Sequence, residues 1–185
     1  MLEQCGQKGI PFVIILTSGF SEIGEEGVAA QEQIKAIARR HGTGVIGPNC
    51  QGMMNIEDRI HVGFGAPYGM THGKGCISVT SQSGAWGNSI LILANQEGLG
   101  FRHYVSTGNE ACISSLDLIE SYIDDPGTRA ITAYVEGFKD AHRTIAIGQK
   151  ALAAGKPIFM WKVGTSEAGR SEEHTSELQS RLHLV

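Results

Sequence analysis

The sequence predicts an α/β fold, a largely parallel sheet with helices on both faces. Three observations carry that expectation. Short, continuous apolar runs of buried-strand type recur at Pro11–Thr17, Cys76–Thr80, Ala130–Val135 and Pro157–Trp161. Small polar or glycine-bearing loops follow these runs, and most of the loops lead into segments with helical apolar spacing. Strand, loop and helix then alternate along the chain, which requires parallel strands joined by right-handed crossovers.

Taken in order, Pro11–Thr17 leads into Ser18-Gly19-Phe20-Ser21-Glu22 and then a helix predicted over Glu26–Arg40. Ala30, Ile34, Ile37 and Ala38 share one face of it. Arg39, Arg40 and His41 suit the negative end of its dipole, and Gly42 suits the residue just past the end. Gly44–Ile46 is a short strand running into Gly47-Pro48-Asn49-Cys50. This part starts abruptly, because residues 1–10 are too few to supply the remaining strands of such a sheet, so a fragment lacking its own beginning is expected. Gly65–Lys74 breaks all periodicity and is expected to be a linker, dividing a first unit over residues 1–64 from a second over 75–169.

In the second unit Cys76–Thr80 leads to Ser81-Gln82-Ser83-Gly84 and a helix over Ala85–Glu97, with Ser83 as its N-cap. Arg102–Ser106 leads to Thr107-Gly108-Asn109-Glu110 and a helix near Ser115–Ile123, with Leu116, Ile119 and Ile123 inward. Asp124-Asp125-Pro126-Gly127 reads as a plain turn. Ala130–Val135 leads to Glu136-Gly137 and a helix capped by Asp140, with Ala141, Ile145, Gly148 and Leu152 on one face. Pro157–Trp161 ends the pattern at Lys162-Val163-Gly164.

Composition narrows the function classes. The 185 residues are 41% hydrophobic with a formal net charge of −4, a chain able to bury a full core without a metal or disulfide staple. There is no basic stripe for nucleic acid, no apolar run of the ~18 residues a membrane span needs, and no signal-peptide pattern after Met1. Cys5, Cys50, Cys76 and Cys112 are scattered without a Cys-x-x-Cys pair, so they read as reduced, cytoplasmic thiols and not as a metal site.

In a parallel sheet the loops after the strands gather at the carboxyl edge, where ligands bind. That edge collects Ser81–Gly84, Gly108–Glu110, Glu136-Gly137 and Lys162–Gly164: glycines, hydroxyls, an amide, carboxylates and an amine. The turn Ser81-Gln82-Ser83-Gly84 at a helix start suits a phosphoryl group, since N–H groups and the positive dipole end converge there. The same turn equally suits a well-capped helix with no ligand. A hydrolase with Ser83 as nucleophile is disfavoured, since the Gly-x-Ser-x-Gly elbow is missing.

At these loops the sequence resembles a known family. Gly19-Phe20-Ser21-Glu22, Gly47-Pro48-Asn49-Cys50-x-Gly52, Ser81-Gln82-Ser83-Gly84-Ala85 and Ser106-Thr107-Gly108-Asn109-Glu110-Ala111 occur in that order. Asp125-Pro126-x-Thr128-Arg129, Tyr134-Val135-Glu136-Gly137 and Lys156-Pro157…Lys162-x-Gly164 follow. Together they resemble the NDP-forming acyl-CoA synthetases, relatives of the succinyl-CoA ligase alpha subunit. The resemblance implies that residues 1–64 are the second half of a CoA-binding Rossmann domain and residues 75–169 a flavodoxin-like ligase domain.

It also implies a chemistry: acid, CoA and a nucleoside triphosphate interconvert with acyl-CoA through an acyl phosphate and a phosphohistidine. Ser81, Gln82, Ser83 and Gly84 would then hold phosphate, and Glu136 would be the catalytic carboxylate that orients the histidine. As a strand-end residue, Glu136 would otherwise cap the next turn. Ser18, Gly19, Phe20, Asn49 and Cys50 would face CoA, although an isolated cysteine is equally at home as a buried thiol. Gly108, Asn109 and Glu110 would line the acyl or acyl-phosphate pocket; the family's usual Asp is Cys112 here. His103 and His142 read as structural. ATP or ADP and Mg would bind on an ATP-grasp domain or beta subunit absent from this chain, and the substrate would be a small carboxylic acid. A CoA-binding regulatory module of a protein lysine acetyltransferase is the other reading of the same resemblance.

The family carries its phosphorylated histidine in Ser-His-Thr-Gly after Lys162-x-Gly164. Here Arg170–Ser180 instead resembles the read-through translation of a common sequencing adapter, with Arg181–His183 across its variable index. Residues 170–185 are therefore expected to be a non-native tail, and His174 to resemble the target by accident. The true histidine is expected to be missing.

Overall fold

The computed structural model describes residues 1–163, apart from 139 and 141. The first part comprises α1 (Leu2–Gln7), β1 (Phe12–Ile14), α2 (Glu25–His41) and β2 (Gly44–Ile46). A hairpin of β3 (Gly52–Asn55) and β4 (Ile60–Gly63) follows. Then come β5 (Lys74–Ser81), α3 (Gly84–Gln96), β6 (Phe101–Ser106), α4 (Ser115–Asp124), β7 (Ala130–Val135), α5 (Arg143–Ala153) and β8 (Ile158–Lys162). β1 and β2 pair in parallel, and the other six strands form one sheet in the order β4-β3-β6-β5-β7-β8. β6, β5, β7 and β8 run parallel, as the alternation predicts, and β3 lies antiparallel to β6 at one side.

Sheet membership differs from the division expected at 65–74. The hairpin over 52–63 was grouped with the first unit, yet β3 pairs with β6 residue by residue, Gly52 opposite Ser106 and Asn55 opposite His103. The Gly/Pro-rich segment after it is a connection within the larger sheet, containing a single 3-10 turn at Ala66–Gly69. β1 is also shorter than the apolar run suggests. Among the described residues only β2 pairs with it, and Phe12 is 67% exposed, in contrast to the strand buried on both faces that its apolar run predicts.

The helices follow local chemistry closely. α2 ends at Gly42, whose φ of 66° and ψ of 25° place it in the left-handed region, and its N–H donates to Ala38 O. α3 starts at the predicted N-cap, the Ser83 hydroxyl accepting from Trp86 N. α4 carries a capping box between Ser114 and Asp117, and Leu116, Ile119 and Ile123 are buried as predicted. α5 departs from expectation. It is rotated so that Ile147 and Ala151 are buried, while Ile145 and Leu152 are 68% and 83% exposed. Its N-cap is His142, with no side-chain cap, and not Asp140. Two apolar stripes compete on this helix, and packing against α4 and β7 selects the one that completes the core of Leu116, Ile119, Ile123, Ile131 and Val135.

A smaller core of Ile46, Cys50 and Val105, with Met53, Ile113 and Leu118 packed on it, joins the two sheets. The chain after β6 runs alongside β2 and fixes their relation through main-chain bonds: Asn109 N to Pro48 O (2.9 Å), Ala111 N to Gly47 O (2.8 Å) and Ile113 N to Val45 O (3.0 Å). At the amino edge of the large sheet, Arg102 grips Asp125 with Nε and Nη2 at 2.5 and 3.0 Å. The turn expected at Asp124–Gly127 is thereby a charged anchor, which His103 joins at 3.3 Å from Asp125 while stacking on Tyr122. No helix among the described residues is long and apolar enough to cross a membrane.

Candidate functional site

β5, β6, β7 and β8 run parallel, so Gln82, Asn109, Glu136 and Val163 all leave the sheet at one rim. At the end of β5, Ser81 is completely buried. Its hydroxyl donates to Ser83 O at 2.6 Å, and its carbonyl accepts from Thr107 N at 2.8 Å. Ser83 then closes the first turn of α3, its hydroxyl taking Trp86 N at 3.3 Å and its carbonyl Gly87 N at 3.1 Å. The next two N–H groups, of Gly84 and Ala85, have no partner within their own helix and carry its positive dipole end.

Gln82 reaches from this turn to the loop after β7. Its Oε1 accepts from Glu136 N at 2.7 Å and Gly137 N at 3.0 Å, and its Nε2 donates to Gly137 O at 2.8 Å. From β8, Lys162 Nζ donates to Glu136 O at 2.5 Å. The Glu136 backbone is thus held from two neighbouring strands.

The loop after β6 is shaped against the smaller sheet. Gly108 has φ +55°, and a Cβ there would stand 2.2 Å from Asn49 O, so only glycine permits this approach. Asn109 Nδ2 donates to Glu22 Oε2 (2.5 Å) and Gln31 Oε1 (3.0 Å), while its Oδ1 accepts from Asn49 Nδ2 at 3.2 Å. Glu110 turns inward. Its carboxylate accepts from the Ser115 N–H and hydroxyl at 2.7 and 2.5 Å, placing an anion at the start of α4. An open cleft of about 210 Å³ lies beside these loops, lined in part by Gln82, Glu110, Cys112, Ser115, Phe138 and Arg143.

Across from it, the loop after β1 folds around Glu22. The Glu22 carboxylate accepts from Gly19 N at 2.5 Å and from Phe20 N at 3.2 Å. Desolvation pushes its pKa up, but the bonds from Asn109, Gly19 and Phe20 outweigh it and hold the group below its ordinary value. Thr17 and Ser18 are exposed, and the space where a Gly19 Cβ would stand is open. That leaves room for a ligand at Ser18–Gly19.

Cys50 is a different matter: it is 3% exposed, its thiol donates to Ile15 O at 3.4 Å, and desolvation raises its pKa to about 11.

Gln82, Ser83, Gly84, Gly108, Asn109, Glu110 and Glu136 thus lie in loops at one rim of the larger sheet, while Ser18, Gly19, Phe20 and Asn49 lie in the loops after β1 and β2 of the smaller one. Three of the predicted side chains are buried instead: Ser81 braces the turn, Cys50 packs between the sheets, and the Glu110 carboxylate is taken by Ser115. Two residues gain roles that the sequence reading left unassigned. Glu22 closes the Gly19-Phe20-Ser21-Glu22 turn, where a carboxylate two and three residues after free N–H groups can accept from them. Lys162 is the amine expected at this edge, and its target, the Glu136 carbonyl, lies on the neighbouring strand's loop. Gly164 and His174 lie outside the described residues.

Comparison with known proteins agrees with the fold. Residues 74–183 match the model of the succinyl-CoA ligase like flavodoxin domain. The chain is 39% identical over 180 residues to the ADP-forming acetate–CoA ligase of Methanocaldococcus jannaschii, covering 96% of this chain and 25% of that protein. It is 38% identical over 179 residues to the alpha subunit of ADP-forming acetate–CoA ligase II of Pyrococcus furiosus, covering 96% of this chain and 38% of that one. The chain thus spans between a quarter and two-fifths of these relatives. Among solved structures, the dinucleotide-forming acetyl-coenzyme A synthetase 1 of Ca. Korarchaeum cryptofilum, in complex with phosphate and ADP, superposes with a TM-score of 0.81 at 30% identity. That match covers 95% of this chain and 37% of the other. With more than half of its length matched by the family model, the chain belongs to the succinyl-CoA ligase-like flavodoxin domain family.

Proposed function

We propose that this chain is part of an NDP-forming acid–CoA ligase of the cytoplasm, working through an acyl phosphate and a phosphohistidine. The observation that carries this reading is the tie between the start of α3 and the Glu136 loop, made by Gln82 through bonds of 2.7, 3.0 and 2.8 Å. It ties a helix N-terminus that suits a phosphoryl group to the backbone of the loop bearing Glu136, whose carboxylate suits an imidazole. In this reading Ser83 and Gly84 cradle the phosphoryl group, and Glu136 fixes the tautomer of the histidine and stabilises its positive charge. Gly108, Asn109 and Glu110 shape the wall of the acyl pocket through the backbone they hold in place, while Ser18, Gly19, Phe20 and Asn49 face CoA. Residues 1–64 form the second half of the CoA-binding unit of the parent protein. ATP or ADP, with Mg, binds on an ATP-grasp domain or beta subunit of that parent, and the acid is a small carboxylate.

The test uses the parent enzyme, assembled with its nucleotide-binding partner and supplied with radiolabelled ATP. Transient, acid-labile label on histidine is expected, and Glu136→Gln should lower both labelling and acyl-CoA formation by about 10²-fold or more. Full activity in that variant would overturn the role given to Glu136. The isolated chain should form no acyl-CoA from acid, ATP and CoA; turnover by a purified sample would overturn its assignment as part of a larger enzyme.

A further inference from the structure

We propose that Gln82 is a positioning residue for Glu136: it locks the loop bearing that carboxylate to the turn at the start of α3, so that the two move as a unit. The inference rests on the role proposed above for Glu136. It replaces the expectation that the Gln82 side chain is itself a phosphate ligand.

The geometry is specific to a glutamine. Four main-chain polar groups surround the Glu136–Gly137 peptide, and two side chains take all of them. Gln82 Oε1 accepts from both N–H groups, Gln82 Nε2 donates to Gly137 O, and Lys162 Nζ donates to Glu136 O. The Gln82 backbone adds a fifth link, its N–H donating to Tyr134 O at 3.1 Å. An acceptor facing two N–H groups and a donor facing a carbonyl fix which way the amide points. A lysine here would lose the acceptor. A glutamate would lose the donor and set a charge beside the anion site. A neutral, two-sided amide meets both needs.

The consequence is mechanical. Loops at a sheet edge ordinarily wander, and a misplacement of about 1 Å at a reacting centre can cost 10²-fold in rate. Gln82 joins the loops of adjacent strands β5 and β7, so the helix start and the backbone that carries Glu136 keep their separation even if the rim shifts.

The experiment has two arms. In this chain, Gln82→Leu should accelerate amide exchange at Glu136 and Gly137 by about tenfold or more, while the α3 cap amide of Trp86 changes less than about twofold. Gln82→Glu, which keeps the acceptor, should retain the protection. In the full-length parent enzyme, Gln82→Leu should lower kcat by about 10²-fold and leave the KM for CoA and acid within about threefold. Added to Glu136→Gln, it should lower kcat by less than about threefold more, because it acts through that carboxylate. Unchanged exchange at the two amides would overturn the lock. Multiplying effects in the double variant, or a raised KM for phosphate in the reverse direction with kcat intact, would make Gln82 a direct ligand instead. If Gln82→Leu frees both amides but Glu136→Gln leaves kcat unaltered, the lock stands and the reading of Glu136 falls.

Discussion

Asn109 and Glu22, 87 positions apart in the chain, share a hydrogen bond of 2.5 Å from the amide Nδ2 to the carboxylate Oε2. It spans the two sheets. The Glu22 carboxylate also takes Gly19 N and Phe20 N, so one ion shapes the loop after β1 and ties it to the loop after β6. In the proposed ligase these loops serve CoA and the acyl group respectively.

Replacing Glu22 by Gln should therefore destabilise the chain by about 1–2 kcal/mol at pH 7, a value moderated by partial solvent contact. The folded pKa lies below the ordinary 4.5, so this contribution is present at neutral pH and is lost as pH falls through the folded value. Urea unfolding at pH 7 and pH 3 checks both parts. The gap between wild type and Glu22→Gln should shrink at the lower pH.

The opposite rim makes a sharper acid prediction. Arg102 above all, with Thr128 Oγ1 at 2.6 Å and Gly127 N at 3.2 Å, holds the Asp125 carboxyl well below the usual carboxylate range, against the desolvation that raises it. Asp125→Asn should lower stability by about 1–2 kcal/mol at pH 7, because it removes the carboxylate that takes Arg102 Nε and Nη2 and leaves the guanidinium only the longer contact with Glu57 at 3.6 Å. The contribution persists above the ordinary value of 3.8 and disappears only under stronger acid. Thermal unfolding from pH 7 to pH 2 would show the two proteins converging only at the acid end.

Lys156 is a helix cap that the sequence concealed. Its Nζ donates to Ile123 O and Asp125 O, each at 2.6 Å, and to Tyr122 O at 3.3 Å, so a cation sits on the negative end of α4. Lys156→Met keeps most of the aliphatic stem and removes the charge together with its three hydrogen bonds. A loss of about 1–2 kcal/mol is expected in chemical denaturation, with faster amide exchange in the last turn of α4.

Thiol chemistry should separate Cys50 from Cys112. Cys50 is buried, with a pKa raised to about 11, whereas Cys112 is exposed. Brief alkylation at pH 8, read by mass spectrometry, should mark Cys112 and leave Cys50 untouched until the chain is unfolded. Rapid native-state labelling of Cys50 would show that the packing between the two sheets is looser than described.

Helix starts, stops and faces were legible wherever one local cause decided them. Ser83, Gly42 and the Leu116–Ile119–Ile123 face are of that kind, each set by a cap or a spacing within a few residues. α5 was not, because Ile145 with Leu152 and Ile147 with Ala151 offer two stripes that local periodicity ranks alike. The hairpin of β3 and β4 escaped for a related reason. Its four-residue strands carry little pattern of their own, and what makes them strands is the free side of β6.

The chain's own order of residues determined an α/β fold and brought the loops of Ser83, Asn109 and Glu136 to one edge, because parallel strands joined by crossovers must place them there. Only the folded structure decided what each polar group does at that edge. Gln82 was spent on the Glu136 backbone, Asn109 on Glu22, and Ser81 and Cys50 on the interior. Hydrogen-bond partners 54 or 87 residues away are chosen by packing between strands and sheets, and no local spacing encodes that choice.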